Sequence, residues 1–206
     1  WATENYWAPE VHPWRGRFVM LASFKAEGVR RCTCALIADA PEGPFRPWSD
    51  GGLTPAGWEC LDGTLVLSRQ NEPYLVFCHE WVQAVDGAVC ALRLTDDLRA
   101  SVGEPRVLFH ASEARPWVRT VHHARTGIDG FVTDGPFALR TGKGTLLLLW
   151  SSFGEGGYVQ ALARSDGDID GCFTVDPRPL FTGDGGHGMV FTAPDGRLTL
   201  ALHAPN

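Results

Sequence analysis

The 206-residue sequence lacks any long run of Lys or Arg, and its formal net charge is −6 at pH 7. A protein that binds nucleic acid or an anionic membrane through its charge carries a basic patch, which this composition does not supply. No uninterrupted apolar run reaches the roughly 20 residues that a membrane-spanning helix needs. The first residues, WATENYWAPEV, have neither the basic nor the apolar region of a signal peptide. We therefore expect neither nucleic acid nor membrane as a partner.

Metal-ligand spacing is also missing from the cysteines. The six of them, at positions 32, 34, 60, 78, 90 and 172, show neither zinc-ligand pairs nor the density of a disulfide scaffold. Cys32 and Cys34 lie two apart in a predicted strand, which places their side chains on one face about 7 Å apart, too far for an unstrained disulfide. We expect mostly free, buried thiols, because cysteine is among the residue types most often buried.

Amphipathic helical periodicity is absent, and a repeated strand plan is present instead. Four segments share a strand, a polar turn and a second apolar strand: WAPEVHPWRGRFVMLASF, DGTLVLSRQNEPYLVFCHEW, DGPFALRTGKGTLLLLWSSF and GHGMVFTAPDGRLTLALHAP. The turns WRGR, RQNEP, RTGKG and APDGR have hairpin chemistry. Three of the segments continue into further strand-like stretches. The pattern predicts an all-β protein built of four-stranded propeller blades.

The blade pattern also predicts the domain organisation. One domain covers residues 1–206, with blades at about 7–48, 62–109, 134–181 and 186–206. The last unit stops after its second strand, and only six residues precede the first unit. We therefore expect about four blades of a propeller whose N-terminal blade is missing.

Four strings carry a resemblance to a known family: NYWAPEVHPWRGRFVML, CLDGTLVLSRQNEPYLVF, TDGPFALRTGKGTLLLLWSS and GGHGMVF. In content and order they resemble glycoside hydrolase family 43, over nearly the whole chain. The resemblance implies a five-bladed β-propeller, represented here by blades two to five. It also implies a monomeric enzyme that hydrolyses arabinose-, xylose- or galactose-containing glycans with inversion and without a required cofactor. A secreted or periplasmic location would suit such a substrate.

Inverting hydrolysis needs a protonated acid at the leaving oxygen and a base about 6.5–9.5 Å from it, with a water between them. By resemblance, Asp62 matches the residue that tunes the acid, and Asp134 stands where the family has the acid Glu. Asp is one methylene shorter, and Asp before Gly-Pro is also common as a turn cap. The base belongs to the first blade and has no counterpart here, so we expect this chain alone to hydrolyse almost nothing.

Glu59 offers a second interpretation of the chemistry. The string WECLDG also resembles the Glu-Cys motif of family 32 propellers, which hydrolyse fructosides with retention. Retention requires two carboxyls about 5–5.5 Å apart. Glu59 is therefore an alternative acid, unless it is only a carboxylate of a surface loop. A propeller that binds carbohydrate without hydrolysing it is a further alternative.

Aromatic residues near the strand starts are candidates for stacking on a sugar ring. Trp7, Trp58, Trp81 and Trp150 occupy such positions, where an indole can pack on a sugar or in the core. His79 and Glu80, at the end of a blade's second strand, and Glu10, in WAPEV, could bind sugar hydroxyls or only neighbouring residues.

Two histidine assignments complete the expectations. His187 in GGHGMVF matches a histidine that, in many family 43 enzymes, lies on the propeller axis near an ion, often calcium. Simple burial with a backbone hydrogen bond is the alternative. In the loop EARPWVRTVHHARTGIDG, residues 113–130, His122 or His123 could reach a substrate. Such loops are usually solvated connections, which is the interpretation we favour.

Overall fold

The computed structural model of the protein describes residues 1–206 and consists almost entirely of antiparallel strands. The first sheet contains β1 (Glu4–Trp14), β2 (Arg17–Ala26), β3 (Val29–Ala38) and β4 (Arg46–Pro47). The second contains β5 (Cys60–Leu67), β6 (Pro73–His79), β7 (Ala88–Leu94) and β8 (Ser101–His110). The all-β prediction is confirmed.

Two further sheets follow along the chain. The third contains β11 (Asp134–Arg140), β12 (Leu146–Gly154), β13 (Gly157–Ser165) and β14 (Phe173–Val175), and the fourth contains β15 (Gly186–Thr192) and β16 (Leu198–His203). A hairpin of β9 (Val121–His123) and β10 (Ile128–Gly130) lies between the second and third sheets in sequence. The helical parts are α1 (Trp81–Ala84) and a 3₁₀ turn at Ala111–Ala114. None of these helical segments has the length and apolar character needed to cross a membrane.

Turn chemistry explains the tight connections within the sheets. Between β1 and β2, Arg15 and Gly16 have φ values of 48° and 78°, the left-handed pair that a two-residue hairpin turn requires. Trp14 and Arg17 pair directly on either side of this turn. The short loop fixes the register of the whole hairpin, because one slipped residue would turn every side chain to the opposite face.

The core lies between adjacent sheets, and the second sheet contributes to both of its faces. Along β6, Leu75 and Phe77 pack toward the first sheet, whereas Val76 and Cys78 pack toward the third. All four are fully buried, as expected for a strand whose side chains alternate between two covered faces. Burial of each large apolar side chain stabilises the fold by roughly 1.5–3 kcal/mol.

Trp150 belongs to this core. Its side chain has no exposed surface and packs edge-on against Phe109, with ring centroids 5.2 Å apart. The expectation that Trp150 could stack on a sugar is therefore wrong, because its position on the middle strand β12 buries it between two sheets.

The first strand of each sheet is the innermost one. Strands β1 and β11 both pack on β5, and β15 packs on β11. The four sheets follow one another around this axis without closing into a ring. Residues near the starts of the four inner strands are thereby brought together although they are far apart in sequence.

Candidate active site

Each inner strand carries the same irregularity near its start. A β-bulge interrupts the pairing after Trp7, Leu61, Asp134 and Gly186. The next residues have left-handed backbones: Ala8 at φ 46°, Asp62 at 57°, Gly135 at 49° and His187 at 51°. Such a conformation costs a residue other than glycine roughly 1–3 kcal/mol and is often found where the surrounding structure needs it for function. A bulge re-aims the side chains beside it, in this case toward the axis.

The bulges open onto one pocket of about 940 Å³. Its polar lining comes from the second, third and fourth sheets and consists of Asp62, Glu80, Asp134, Tyr158, His187, His203 and Asn206. Aromatic side chains form part of the wall, namely Tyr6, Trp7 and Trp81. Acidic groups facing aromatic rings in an open pocket suit a polyhydroxylated ligand, whose hydroxyls need acceptors and whose ring faces are apolar.

Asp62 is held in place by hydrogen bonds from two directions. Its backbone N–H donates to Ser23 Oγ at 3.0 Å, and its carboxylate Oδ2 accepts from the Gly135 N–H at 2.9 Å. His187 Nδ1 lies 3.8 Å from the same oxygen. Burial raises the pKa of Asp62 to about 7, although the Gly135 N–H and the charge of Arg31 both lower it. These hydrogen bonds fix the side chain, and its burial favours the protonated form.

Asp134 lies beside Asp62, and its carboxylate faces Tyr158. Tyr158 donates its O–H to Asp134 Oδ2 at 3.1 Å. The carboxylate accepts no hydrogen bond from the amides of its own turn, so the turn-cap interpretation is wrong for this side chain. Burial and the neighbouring Asp62 charge together raise the pKa of Asp134 to about 7, although His187 and the Tyr158 hydrogen bond lower it. A carboxyl that keeps its proton near neutral pH can serve as a general acid.

Glu59 lies outside the pocket, on the side of the second sheet that faces Lys25. Its carboxylate accepts hydrogen bonds from Lys25 Nζ at 3.1 Å, Arg30 Nη1 at 3.3 Å and the Arg31 N–H at 2.9 Å. Burial raises the pKa of Glu59, but the Arg31 N–H and Lys25 outweigh it and hold the pKa below its usual value. The structure therefore does not bring Glu59 together with Asp62 and Asp134, and its surroundings keep it ionised.

Replacement of Glu59 by Gln should affect stability more than catalysis. The substitution removes the charge that Lys25 and Arg30 contact, so the unfolding temperature should fall by a few degrees, for a loss of about 1–2 kcal/mol. The dependence of hydrolysis on the leaving group should stay as in the unmodified protein. Thermal unfolding and kinetics on two substrates of different leaving-group pKa check both parts. A selective loss on the poorer leaving group would return the acid role to Glu59.

Glu80 enters the pocket, where it forms a buried ion pair with Arg31. Arg31 Nη1 donates to Glu80 Oε2, and the two side chains are 10% and 11% exposed. Arg31 Nε donates to Asn5 Oδ1 at 3.1 Å, and the guanidinium lies 4.5 Å from the centroid of the Trp7 ring. Burial raises the pKa of Glu80, whereas Arg31 lowers it. Trp7 is 45% exposed and presents the rest of its surface to the pocket.

Trp81 lines the pocket, whereas Trp58 and His79 do not. The Trp58 and His79 rings stack with centroids 4.1 Å apart, and His79 Nε2 lies 2.9 Å from Gln83 Oε1. Through these contacts, both side chains stabilise the region around α1. The predicted sugar contacts of Trp58 and His79 are therefore not supported by their positions.

The segment at 113–130 is more than a solvated connection, because it contains the β9–β10 hairpin. The His123 ring packs edge-on against Trp81, with centroids 5.6 Å apart, and so supports a pocket residue from behind. His122 is exposed and lies 3.0 Å from Asp129. Neither histidine lines the pocket.

Glu10 lines a smaller cavity of about 160 Å³, which shares Asp62 and His187 with the pocket. Its Oε1 accepts from Thr64 Oγ1 at 2.8 Å and lies 2.8 Å from His12 Nε2. The Glu10 carboxylate therefore links the first two inner strands, which is the neighbour contact considered for it. The sugar contact also considered for Glu10 is not what the geometry shows, because Glu10 does not line the larger pocket.

His187 lines both cavities and was expected to lie near an ion. No three His, Cys, Asp or Glu side chains in the chain are grouped so that they could hold a metal. Burial lowers the pKa of the His187 ring. The His187 backbone N–H donates to Ser151 Oγ at 2.8 Å. The His, Cys, Asp and Glu side chains around His187 therefore do not form an ion site by themselves.

Sequence reasoning missed Arg31, Tyr158 and His203, which support or line the site. Arg31 lies on the third strand of its sheet, Tyr158 lies on β13 and His203 ends β16. His203 stacks parallel to the Tyr158 ring, with centroids 5.6 Å apart, and thereby supports the Asp134 partner. No motif marks these residues. The shared bulge could have been found by aligning the four-residue segments at the starts of the inner strands. These segments are WAPE, LDGT, DGPF and GHGM.

Comparison with known proteins agrees with this geometry. The sequence profile of a family described as "Glycosyl hydrolases family 43" matches residues 1–206. The chain is similar to the crystal structure of an endo-arabinase from Bacteroides thetaiotaomicron VPI-5482, with a TM-score of 0.95 and 42% identity, over 100% of this chain and 72% of that chain. The comparison with curated proteins found no match.

Two less similar structures share the fold. One is a thermostable family-43 glycoside hydrolase, with a TM-score of 0.82 and 19% identity, over 99% of this chain and 68% of that one. The other is an endo-1,4-beta-xylanase from Bacteroides thetaiotaomicron VPI-5482, with a TM-score of 0.75 and 24% identity, over 98% and 67% of the two chains. The propeller-type prediction is confirmed, with the sheets forming a partial propeller. Since the profile match covers every residue, the chain belongs to family 43 of the glycosyl hydrolases and is a glycosidase.

Proposed function

We propose that the protein hydrolyses glycosidic bonds in an arabinose-containing polysaccharide, with Asp134 as the proton donor. The observation that carries this proposal is the pair of buried carboxyls, Asp62 and Asp134, in one pocket with pKa values raised to about 7. The arabinose component rests on the similarity to an endo-arabinase at 42% identity. Xylose- or galactose-containing glycans are the other substrates considered.

Proton donation follows from the way in which Asp134 is held. Because Tyr158 donates to Oδ2, that oxygen is an acceptor, and the proton resides on Oδ1. A protonated Oδ1 can transfer its proton to the glycosidic oxygen as the bond to the anomeric carbon breaks. A water attacks that carbon from the opposite face and gives its proton to the base that the family resemblance assigns to the first blade. The Asp62 charge raises the pKa of Asp134 and so keeps the proton in place until the leaving oxygen becomes basic.

Asp62 has a different task because of its environment. Its Oδ2 is occupied by the Gly135 N–H, and Arg31 adds positive charge nearby. When Asp134 is protonated, Asp62 carries the negative charge of the pair, which stabilises positive charge that develops at the anomeric carbon. Two adjacent carboxyls with different partners thereby divide the acid and electrostatic roles between them.

Glu80 and Trp7 supply the sugar-binding surface. Arg31 pairs with Glu80 and favours its ionised form, which accepts hydrogen bonds from hydroxyl groups. One face of the Trp7 indole lies against the Arg31 guanidinium, and the exposed remainder can pack on the apolar face of a sugar ring. That the protein binds its substrate as a monomer remains a prediction.

The test is an assay of the full-length protein on linear arabinan, xylan, galactan and a fructan at equal mass concentrations. We expect arabinan to be cleaved at least tenfold faster than the others, with proton NMR showing that the first anomer formed is inverted relative to the substrate. Cleavage of the fructan with retention would contradict the proposal and support the family 32 interpretation. Binding of arabinan without cleavage of any substrate would show a carbohydrate-binding propeller instead.

A further inference from the structure

We call the backbone N–H of the residue that follows each bulge the bulge amide. In the second, third and fourth sheets, this amide faces one position on the second strand of the preceding sheet. Ser23 pairs with Trp7 in the first sheet, and its hydroxyl accepts the Asp62 N–H of the second sheet at 3.0 Å. Ser151 pairs with Asp134 in the third sheet, and its hydroxyl accepts the His187 N–H of the fourth sheet at 2.8 Å. A serine at this register therefore binds the bulge amide of the next sheet.

The second sheet departs from this arrangement at Cys78. Cys78 pairs with Leu61, which is the same register that Ser23 and Ser151 occupy in their sheets. The bulge amide that it would serve belongs to Gly135, but the Gly135 N–H donates to Asp62 Oδ2 at 2.9 Å. Among the three equivalent amides, only this one reaches a carboxylate, and only here is the serine replaced.

We infer that Cys78 is a positioning residue: because its thiol replaces the serine hydroxyl, the Gly135 N–H remains free to orient the Asp62 carboxylate in the catalytic pocket. The inference deepens the proposed function and rests on it for the catalytic role of Asp62.

Sulfur chemistry gives the physical reason. A thiol sulfur is a weak hydrogen-bond acceptor, whereas a serine hydroxyl is a strong one that can also donate. Cys78 is fully buried and packs in the apolar cluster between the second and third sheets. The buried hydroxyl of Thr133 lies next to the thiol as a weak hydrogen-bond partner and has no stronger one. A serine at position 78 could donate to Thr133 Oγ1 and accept the Gly135 N–H, which would remove that N–H from Asp62.

The experiment compares Cys78→Ser with Cys78→Ala in the full-length protein. Both variants remove the thiol and lose a similar amount of core packing, but only serine introduces a competing acceptor. In assigned ¹H–¹⁵N spectra, the Gly135 amide proton of the unmodified protein should lie downfield, as expected for an amide bound to a carboxylate. It should stay there in Cys78→Ala and move upfield in Cys78→Ser, toward its position in Asp62→Asn.

Kinetics provide the second readout. We expect Cys78→Ser to reduce kcat/KM by about tenfold, the effect of weakening one hydrogen bond to a charged group, and to leave KM nearly unchanged. Cys78→Ala should retain at least half of the kcat/KM of the unmodified protein. Unfolding temperatures of the two variants should agree within a few degrees, so that a loss specific to serine is not a loss of fold.

Two results would overturn the inference. One is a Gly135 amide that does not move in Cys78→Ser, and the other is an equal change of amide position and kcat/KM in both variants. The spectra do not depend on the proposed activity. If the amide moves only in Cys78→Ser while the unmodified protein cleaves none of the polysaccharides, the positioning contact stands and the proposed function fails.

Discussion

Asp134→Asn should reduce hydrolysis of arabinan by roughly 10²–10⁴-fold, which is the usual contribution of one general acid. The amide retains the size of the side chain and still accepts the Tyr158 hydrogen bond, but it has no acidic proton. An aryl glycoside with a leaving group of low pKa needs little protonation, so its turnover should fall by less than about tenfold. The ratio of the two losses is the diagnostic quantity.

The pH dependence of stability distinguishes this loss of activity from a loss of folding. Burial raises the pKa values of Asp62 and Asp134 from 3.8 to about 7. The folded state therefore binds more protons than the unfolded chain between about pH 4 and pH 7, and stability falls as the pH rises through that range. Asp134→Asn removes one of the two charges, so its unfolding temperature at pH 7 should equal or exceed that of the unmodified protein.

Tyr158→Phe is the matched control for the acid. It removes the hydroxyl that donates to Asp134 Oδ2 and leaves the carboxyl itself in place. We expect a loss of about tenfold on arabinan and a smaller loss on the aryl glycoside, because Tyr158 acts through the Asp134 carboxyl. The assignment of Asp134 is contradicted if Asp134→Asn loses the same factor on both substrates, because the reaction would then not depend on its proton.

The fold was largely predictable because hairpin turns and alternating strands are local features. The segments beginning at Trp7, Asp62, Asp134 and Gly186 predicted the four inner strands, and the structure shows strands there. Asp62, Asp134 and His187 each lie near the start of one of these strands, and all three line one pocket. Each of these signals lies within about twenty residues of sequence.

The parts of the site that were not predicted depend on contacts between sheets. Glu59 and Glu80 were both acidic candidates near strand ends, and the two are joined by the bond from the Glu80 N–H to the Glu59 carbonyl. Their surroundings differ only because the first sheet packs on the second. In that packing, Glu59 pairs with Lys25 and Glu80 pairs with Arg31. Long-range pairing of this kind leaves no periodic trace in a single sequence.

Arg31→Met should destabilise the protein by about 3–5 kcal/mol, the cost of leaving a buried carboxylate without its partner. For a chain of this size, about 2–4 °C of unfolding temperature corresponds to each kcal/mol, so we expect a fall of roughly 10 °C. Met fills the volume of the Arg31 stem beside Trp7, so the change isolates the charge. Thermal unfolding monitored by near-ultraviolet circular dichroism measures it.

The matched control is Arg93→Met, which breaks the exposed pair of Arg93 and Glu72. That pair has an N–O distance of 2.8 Å, and its side chains are 46% and 43% exposed. Exposed pairs contribute about 0–1 kcal/mol, so Arg93→Met should change the unfolding temperature by no more than a few degrees. The contrast tests burial and not the mere presence of an ion pair.

The pH dependence of the Arg31→Met loss identifies Glu80 as its cause. Burial already raises the pKa of Glu80, and removal of the Arg31 charge raises it further. A carboxyl with a raised pKa in the folded state is protonated there at low pH, so the destabilisation should be small near pH 4 and grow as the pH rises. Arg31→Met/Glu80→Gln should recover most of the lost stability at pH 8. A loss that is independent of pH, or that persists in the double variant, would show that Arg31 stabilises the fold through Asn5 and Trp7 and not through Glu80.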